Sequence, residues 1–109
     1  MTYDVRITPR ASDDLEAAAR WWFNNRSADQ AFRWYQGFLD QLESLDEMPE
    51  RCPLARENPR VPFDLRELHY GLGSHPTHRA LFRILGTTVE VLTVRHLARD
   101  DIPPDDLQV

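Results

Sequence analysis

The sequence predicts a small α+β domain: an N-terminal strand, an antiparallel helical hairpin, then an antiparallel sheet of about three further strands. Three observations carry this reading. Tyr3, Val5 and Ile7 alternate with Asp4 and Arg6, the two-residue period of a half-buried strand. Two apolar stripes at helical spacing follow: Leu15, Ala18, Ala19 and Trp22, then Ala31, Trp34, Tyr35, Phe38, Leu42 and Leu45. Finally, β-rich runs from His78 to Leu85 and from Thr88 to His96 flank Gly86-Thr87, a hairpin signal.

Each boundary has a local cause. Thr8 before Pro9 reads as an N-cap with proline at the first helical position, which starts a helix running to about Asn24. Asn24-Asn25-Arg26 breaks the stripe, and Ser27 with Gln30 three residues on forms a capping box for the second helix. Pro49 is expected to end that helix. Residues 49–62 hold Pro49, Pro53, Pro59 and Pro62 and read as a loop. Leu65 to Tyr70 reads as a strand and Gly71 to Pro76 as a turn. Residues 1–100 form one domain, and 101–109 an exposed acidic tail.

A two-residue loop at Gly86-Thr87 fixes the hairpin register as Leu85 with Thr88, Ile84 with Val89, Arg83 with Glu90, Phe82 with Val91 and Arg79 with Val94. One face then carries Ala80, Phe82, Ile84, Val89, Val91 and Thr93, suited to a core beneath the helices. The other carries Arg79, Leu81, Arg83, Glu90, Leu92, Val94 and His96, with Arg83 opposite Glu90 as an ion pair. Leu81, Leu92 and Val94 make this second face apolar. Either a partner segment packs there, or the loop 49–62 or the C-terminal tail folds over it.

Composition narrows the function classes. No apolar run reaches the roughly 20 residues of a membrane span, and the N-terminal residues lack a signal-peptide core, so a cytoplasmic protein with no membrane partner is expected. Cys52 is the single cysteine, which fits a reducing compartment. All 13 basic residues are Arg, against 18 acids, for a net charge of −5. Residues 1–48 carry −4, residues 49–100 carry +2 and residues 101–109 carry −3. This is not the basic excess of a general nucleic-acid binder, and no direct sequence-specific nucleic-acid binding is expected. His69, His75 and His78 flank a Gly-rich turn, but their spacing matches no metal motif, and neither metal nor cofactor is expected. Trp21, Trp22 and Trp34 read as helix-packing residues.

The segments ITPRASDDL, LRELHYG, HRALFRI and VEVLTVRHLARDD, in this order and spacing, resemble the RelE/ParE toxin superfamily over residues 3 to about 101. The resemblance implies a small sheet with helices on one face and an antitoxin segment wrapped over the toxin. It also implies one of two activities: ribosome-dependent mRNA cleavage in RelE-like members, or inhibition of DNA gyrase in ParE-like members. Cleavage through a 2′-hydroxyl needs a base, an acid and cations for the phosphate. The resemblance places Arg79 and Arg99 at the RelE-like arginine positions, with His96 as the remaining proton-transfer group. It also implies a Tyr or His after the late arginine, where this chain has Asp100, Asp101, Ile102 and two prolines. The expectation is therefore a ParE-branch gyrase inhibitor without catalysis of its own, with a target-binding surface of Arg66, Arg79, Arg83, Arg95, His96 and Arg99. An antitoxin surface is expected at Leu81, Leu92 and Val94. The alternatives are a ribosome-dependent endoribonuclease using Arg79, His96 and Arg99, and a toxin fold with no toxicity left.

Overall fold

The computed structural model describes residues 2–98 and 107 of the chain. Strand β1 (Asp4–Ile7) leads into helices α1 (Pro9–Asn25) and α2 (Ala28–Glu43), and strands β2 (Arg66–Tyr70), β3 (His78–Leu85) and β4 (Thr88–His96) follow. The sheet order is β1-β4-β3-β2. Strands β2, β3 and β4 form an antiparallel meander, and β1 joins its far edge parallel to β4. The α+β class and the helical hairpin are as the sequence predicts. The sheet is mixed because β1 and β4 are far apart in the chain, and the intervening helices supply the crossover that a parallel pair needs.

Local chemistry sets the helix ends. The Thr8 hydroxyl oxygen accepts from the Ala11 N–H and donates to the Val91 carbonyl at 2.8 Å, which ties the start of α1 to β4. Ser27 Oγ accepts from the Gln30 N–H at 3.1 Å and starts α2. Helix α2 stops at Glu43, earlier than the expected Pro49, and the chain continues through short 3₁₀ turns at Ser44–Asp46 and Pro49–Arg51. Arg51 compensates the carbonyls left open there, donating to Glu47 O at 2.6 Å and to Ser44 O and Met48 O.

Burial falls into two cores. The main one lies between the helices and the sheet, where Leu15, Trp34, Phe38 and Leu42 meet Ala80, Phe82, Val89 and Val91. Tyr70 stacks on Phe38 with ring centroids 4.6 Å apart and brings its hydroxyl against Gly37 of α2. A Cβ at Gly37 would stand 2.1 Å from Tyr70 Oη, so glycine is what lets β2 sit this close to the helix. The second core lies on the opposite sheet face, where Leu81 and Leu92 are sealed by Ala55, Leu65 and Leu107, with Val61 and Phe63 packed around them.

The hairpin corrects the expected register. Pairing follows the sequence reading from Leu85 with Thr88 down to Phe82 with Val91, and Arg83 donates to Glu90 at 2.7 Å. A bulge between Leu81 and Phe82 then shifts the register, so that Leu81 pairs with Thr93, Ala80 with Val94, Arg79 with Arg95 and His78 with His96. One extra residue on β4 exchanges the faces of everything beyond it. Val94 therefore enters the main core, and His96 moves to the helix side. Among the described residues, no helix is long and apolar enough to cross a membrane.

Candidate functional site

Among the described residues, the basic residues expected to form one surface do not share one environment. Arg79 is 1% exposed, and its guanidinium meets the fully buried Glu57 in a two-pronged pair at 2.8 and 2.5 Å. Glu67 lies 3.7 Å from the same guanidinium and accepts from His69 at 2.8 Å. Residue 57 reaches Arg79 because the loop folds back over the sheet, anchored by the Ala55 N–H on Leu65 O and by a bridge between Leu54 and Arg66. Arg66 is committed to that loop, donating to the Cys52 carbonyl at 2.7 Å. Arg83 pairs with Glu90 and lies over the Phe63 ring, 5.3 Å from its centroid. Arg66, Arg79 and Arg83 thus hold the second face together, and Arg79 has almost no surface to offer a target. Arg99 lies outside the described residues, as do Asp100 and Asp101.

The expected antitoxin surface is corrected as well. Leu81 and Leu92 are buried beneath the loop and Leu107, and Val94 lies on the other side of the sheet. Of the two open alternatives for this face, the covered one is what the described residues display.

Arg95 and His96 both border a groove of about 760 Å³ between α1 and the paired ends of β3 and β4, although their pairing with Arg79 and His78 turns the two side chains to opposite faces of the sheet. Helix α1 contributes Arg10, Asp14, Trp21 and Trp22 to its wall, and the strands contribute Thr77, His78, Arg95 and His96. Asp14 is turned to the sheet: its Oδ2 accepts from the Thr93 hydroxyl at 2.6 Å and from the Val94 N–H at 3.1 Å. That carboxylate satisfies the edge of β4 where β1 has ended. His78 lies between the Trp34 ring at 4.9 Å and the His96 ring at 5.0 Å, with Nδ1 2.8 Å from Thr77 Oγ1. Burial, and secondarily the neighbouring His96, lowers its pKa to about 4, so it is neutral at pH 7. His96 Nδ1 accepts from the Ala98 N–H at 3.0 Å, which leaves Nε2 as the donor of the neutral ring.

Sequence reasoning missed this groove because it placed His96 on the wrong face and read all three tryptophans as packing residues. Trp34 is fully buried, but Trp21 is 51% exposed, and Phe23 and Phe32 are 60% and 67% exposed on the helical hairpin. The signal available was the run Trp21-Trp22-Phe23, three consecutive aromatics that a single helical stripe cannot bury together. Cys52 is buried, and desolvation raises its thiol pKa, which disfavours the thiolate form. Among the described residues, no group of three or more His, Cys, Asp or Glu side chains is arranged to hold a metal ion.

Over residues 5–101 the sequence matches the ParE toxin of the type II toxin–antitoxin system parDE. No curated protein matches it. Twelve chains of solved structures do. A chain of the chromosomal ParDE toxin–antitoxin system from P. aeruginosa has a TM-score of 0.69 at 20% identity, over 87% of this chain and 96% of that one. The RelBE2 toxin–antitoxin complex from Mycobacterium tuberculosis gives 0.48 at 29% identity, over 88% of this chain and 99% of that one. The archaeal RelE–RelB complex from Pyrococcus horikoshii gives 0.47 at 19% identity, over 92% and 100%. The first of these shares the fold.

Proposed function

Because this chain belongs to the ParE toxin family of type II toxin–antitoxin systems, which it matches over residues 5–101, we propose that it inhibits DNA gyrase by binding, with no chemistry of its own, and that a cognate antitoxin neutralises it. The observation that carries this reading is the separation of the groups a nuclease would need. Arg79 pairs across the hairpin with Arg95, and His78 with His96, so Arg79 and His96 point to opposite sides of the sheet. Arg79 is also closed into its pair with Glu57. A base and a phosphate-binding cation must meet at one scissile bond, and these two do not.

Charge supports the same conclusion. A protein working inside the ribosome competes with dense phosphate and gains affinity by neutralising several of them. A chain at −5 without lysine is poorly suited to that. The surface it does offer, with Trp21, Phe23 and Phe32 exposed on the hairpin, suits protein partners, since exposed aromatics are common anchors of protein interfaces. The purified chain is expected to inhibit gyrase supercoiling or trap its cleaved DNA complex, and to leave mRNA intact in a translation extract. Codon-specific mRNA cleavage that disappears in His96→Ala would overturn this reading and establish the nuclease. Inactivity in both assays would leave a toxin fold without toxicity.

A further inference from the structure

We infer that the solvent-facing side of the helical hairpin is a contact between two copies of this chain, related by a two-fold axis. Phe23 and Phe32 of each copy pack against the helical hollow of the other, and Glu16 of each pairs with Arg20 of its partner. The inference goes beyond the proposed function and holds whatever the toxin's target.

The sequence builds this face on a second stripe of α1. Leu15 and Ala11 are buried, whereas Glu16, Ala19, Arg20 and Phe23 follow one another at i, i+3, i+4 and i+7 along one side of the helix. With Ala31, Phe32 and Tyr35 of α2 they line a hollow of about 400 Å³. Alanine at 19 and 31 leaves the depression, and Phe23 and Phe32 rise from it with most of their rings in solvent. Knob and hole therefore lie on one face. Trp21 lines the groove beside β3 and β4 and takes no part.

Charge decides what covers the hollow. Glu16 and Arg20 are the charged side chains of its wall, and among the described residues neither is tied in an ion pair within the chain. Arg33, next to Phe32 on α2, is already matched by Asp29 at 3.7 Å. One carboxylate and one guanidinium about 6 Å apart along a helix make a face that complements itself. When two α1 helices cross antiparallel between these positions, each Glu16 meets the other copy's Arg20, so the pair forms twice, and Ala19 lets the helices approach. An acidic or a basic segment would instead set one of the two charges against its like. The area sets the strength. At about 200 Å² for an aromatic side chain, the exposed parts of Phe23 and Phe32 give roughly 250 Å² per copy. Doubled, that is well below the roughly 1,200 Å² at which standard stable interfaces begin, so the dimer is a weak one, dissociating at concentrations on the order of tens of micromolar.

The test is sedimentation velocity of the full chain between about 1 and 500 µM, with thermal melting to check that each variant is folded. Wild type is expected to pass from monomer to dimer over this range. Phe23→Glu and Phe32→Glu should each weaken the dimer at least about tenfold, while Leu85→Glu, at an exposed apolar position beside the β3–β4 turn, should leave it unchanged. Glu16→Arg and Arg20→Glu should each weaken it as well, because like charges then meet across the axis. Mixed in equal amounts, those two variants should associate with each other about as well as wild type does with itself, since opposite charges face each other again. A wild-type chain that stays monomeric throughout, or folded Phe23 and Phe32 variants that dimerise as wild type, would overturn the assignment. Charge variants that stay apart when mixed would overturn the two-fold pairing. A monomeric wild type whose affinity for the antitoxin or for gyrase falls in Phe32→Glu would give the face to that partner instead of a second copy.

Discussion

Replacing Arg79 with methionine while keeping Glu57 would take the guanidinium away from a carboxylate that the fold has removed from water. Glu57 has no exposed surface and receives two hydrogen bonds from the Arg79 guanidinium. Breaking a buried pair from one side typically costs about 3–5 kcal/mol, because the remaining charge keeps its desolvation penalty and loses its partner. A domain of this size has roughly 5–15 kcal/mol of stability in total, so Arg79→Met should lower the melting temperature by more than about 10 °C. Replacing both partners by apolar residues of similar volume removes the penalty along with the pair. The double variant Glu57→Leu/Arg79→Met should therefore return to within about 1–2 kcal/mol of wild type. Glu67 keeps its bond to His69 in either variant. Urea denaturation measures the stabilities, and growth arrest on induced expression measures toxicity. Were Arg79 a groove-side or catalytic residue, the double variant would fold and lose its toxicity. An Arg79→Met cost below about 1 kcal/mol would instead show that the pair is open to water.

Three further outcomes follow from the packing. Gly37→Ala, a change that normally favours a helix by about 1 kcal/mol, should destabilise this one, because the new Cβ would meet Tyr70 Oη at 2.1 Å; combining it with Tyr70→Phe should recover part of the loss in a double-mutant cycle. Phe82→Ala should cost about 3–5 kcal/mol by thermal melt, since Phe82 is fully buried between the helices and the sheet. His78 is neutral in the fold with a pKa near 4, below its ordinary 6.5, so the unfolded chain binds a proton first. Its contribution is complete above pH 6.5 and is lost as pH falls toward about 4, and His78→Gln should flatten the decline in the urea midpoint between those values.

Much of the fold was legible because local chemistry and tertiary packing agree. Thr8 and Ser27 cap the helices they were expected to cap, and the stripe from Trp34 to Leu42 is the one that is buried. Gly86, with φ of 61°, sits in the turn that sets the hairpin. The bulge was not legible. Val91, Leu92, Thr93 and Val94 are all compatible with either face, so no side-chain pattern marks where the alternation shifts. That one residue decided the candidate site, because it separates His96 from Arg79 and moves Val94 into the main core. The Glu57–Arg79 pair was hidden for a different reason: the loop around Pro53 and Pro59 has no periodicity that would say which face it covers. The parallel pairing of β1 with β4 likewise depends on contacts across more than 80 residues.

The most direct test of a non-catalytic toxin is a titration of purified gyrase with this chain. Saturable binding at a fixed ratio, with supercoiling lost in proportion to occupancy and restored by the antitoxin, is the expected result. No binding to gyrase, together with co-sedimentation on ribosomes and cleaved mRNA, would contradict the account.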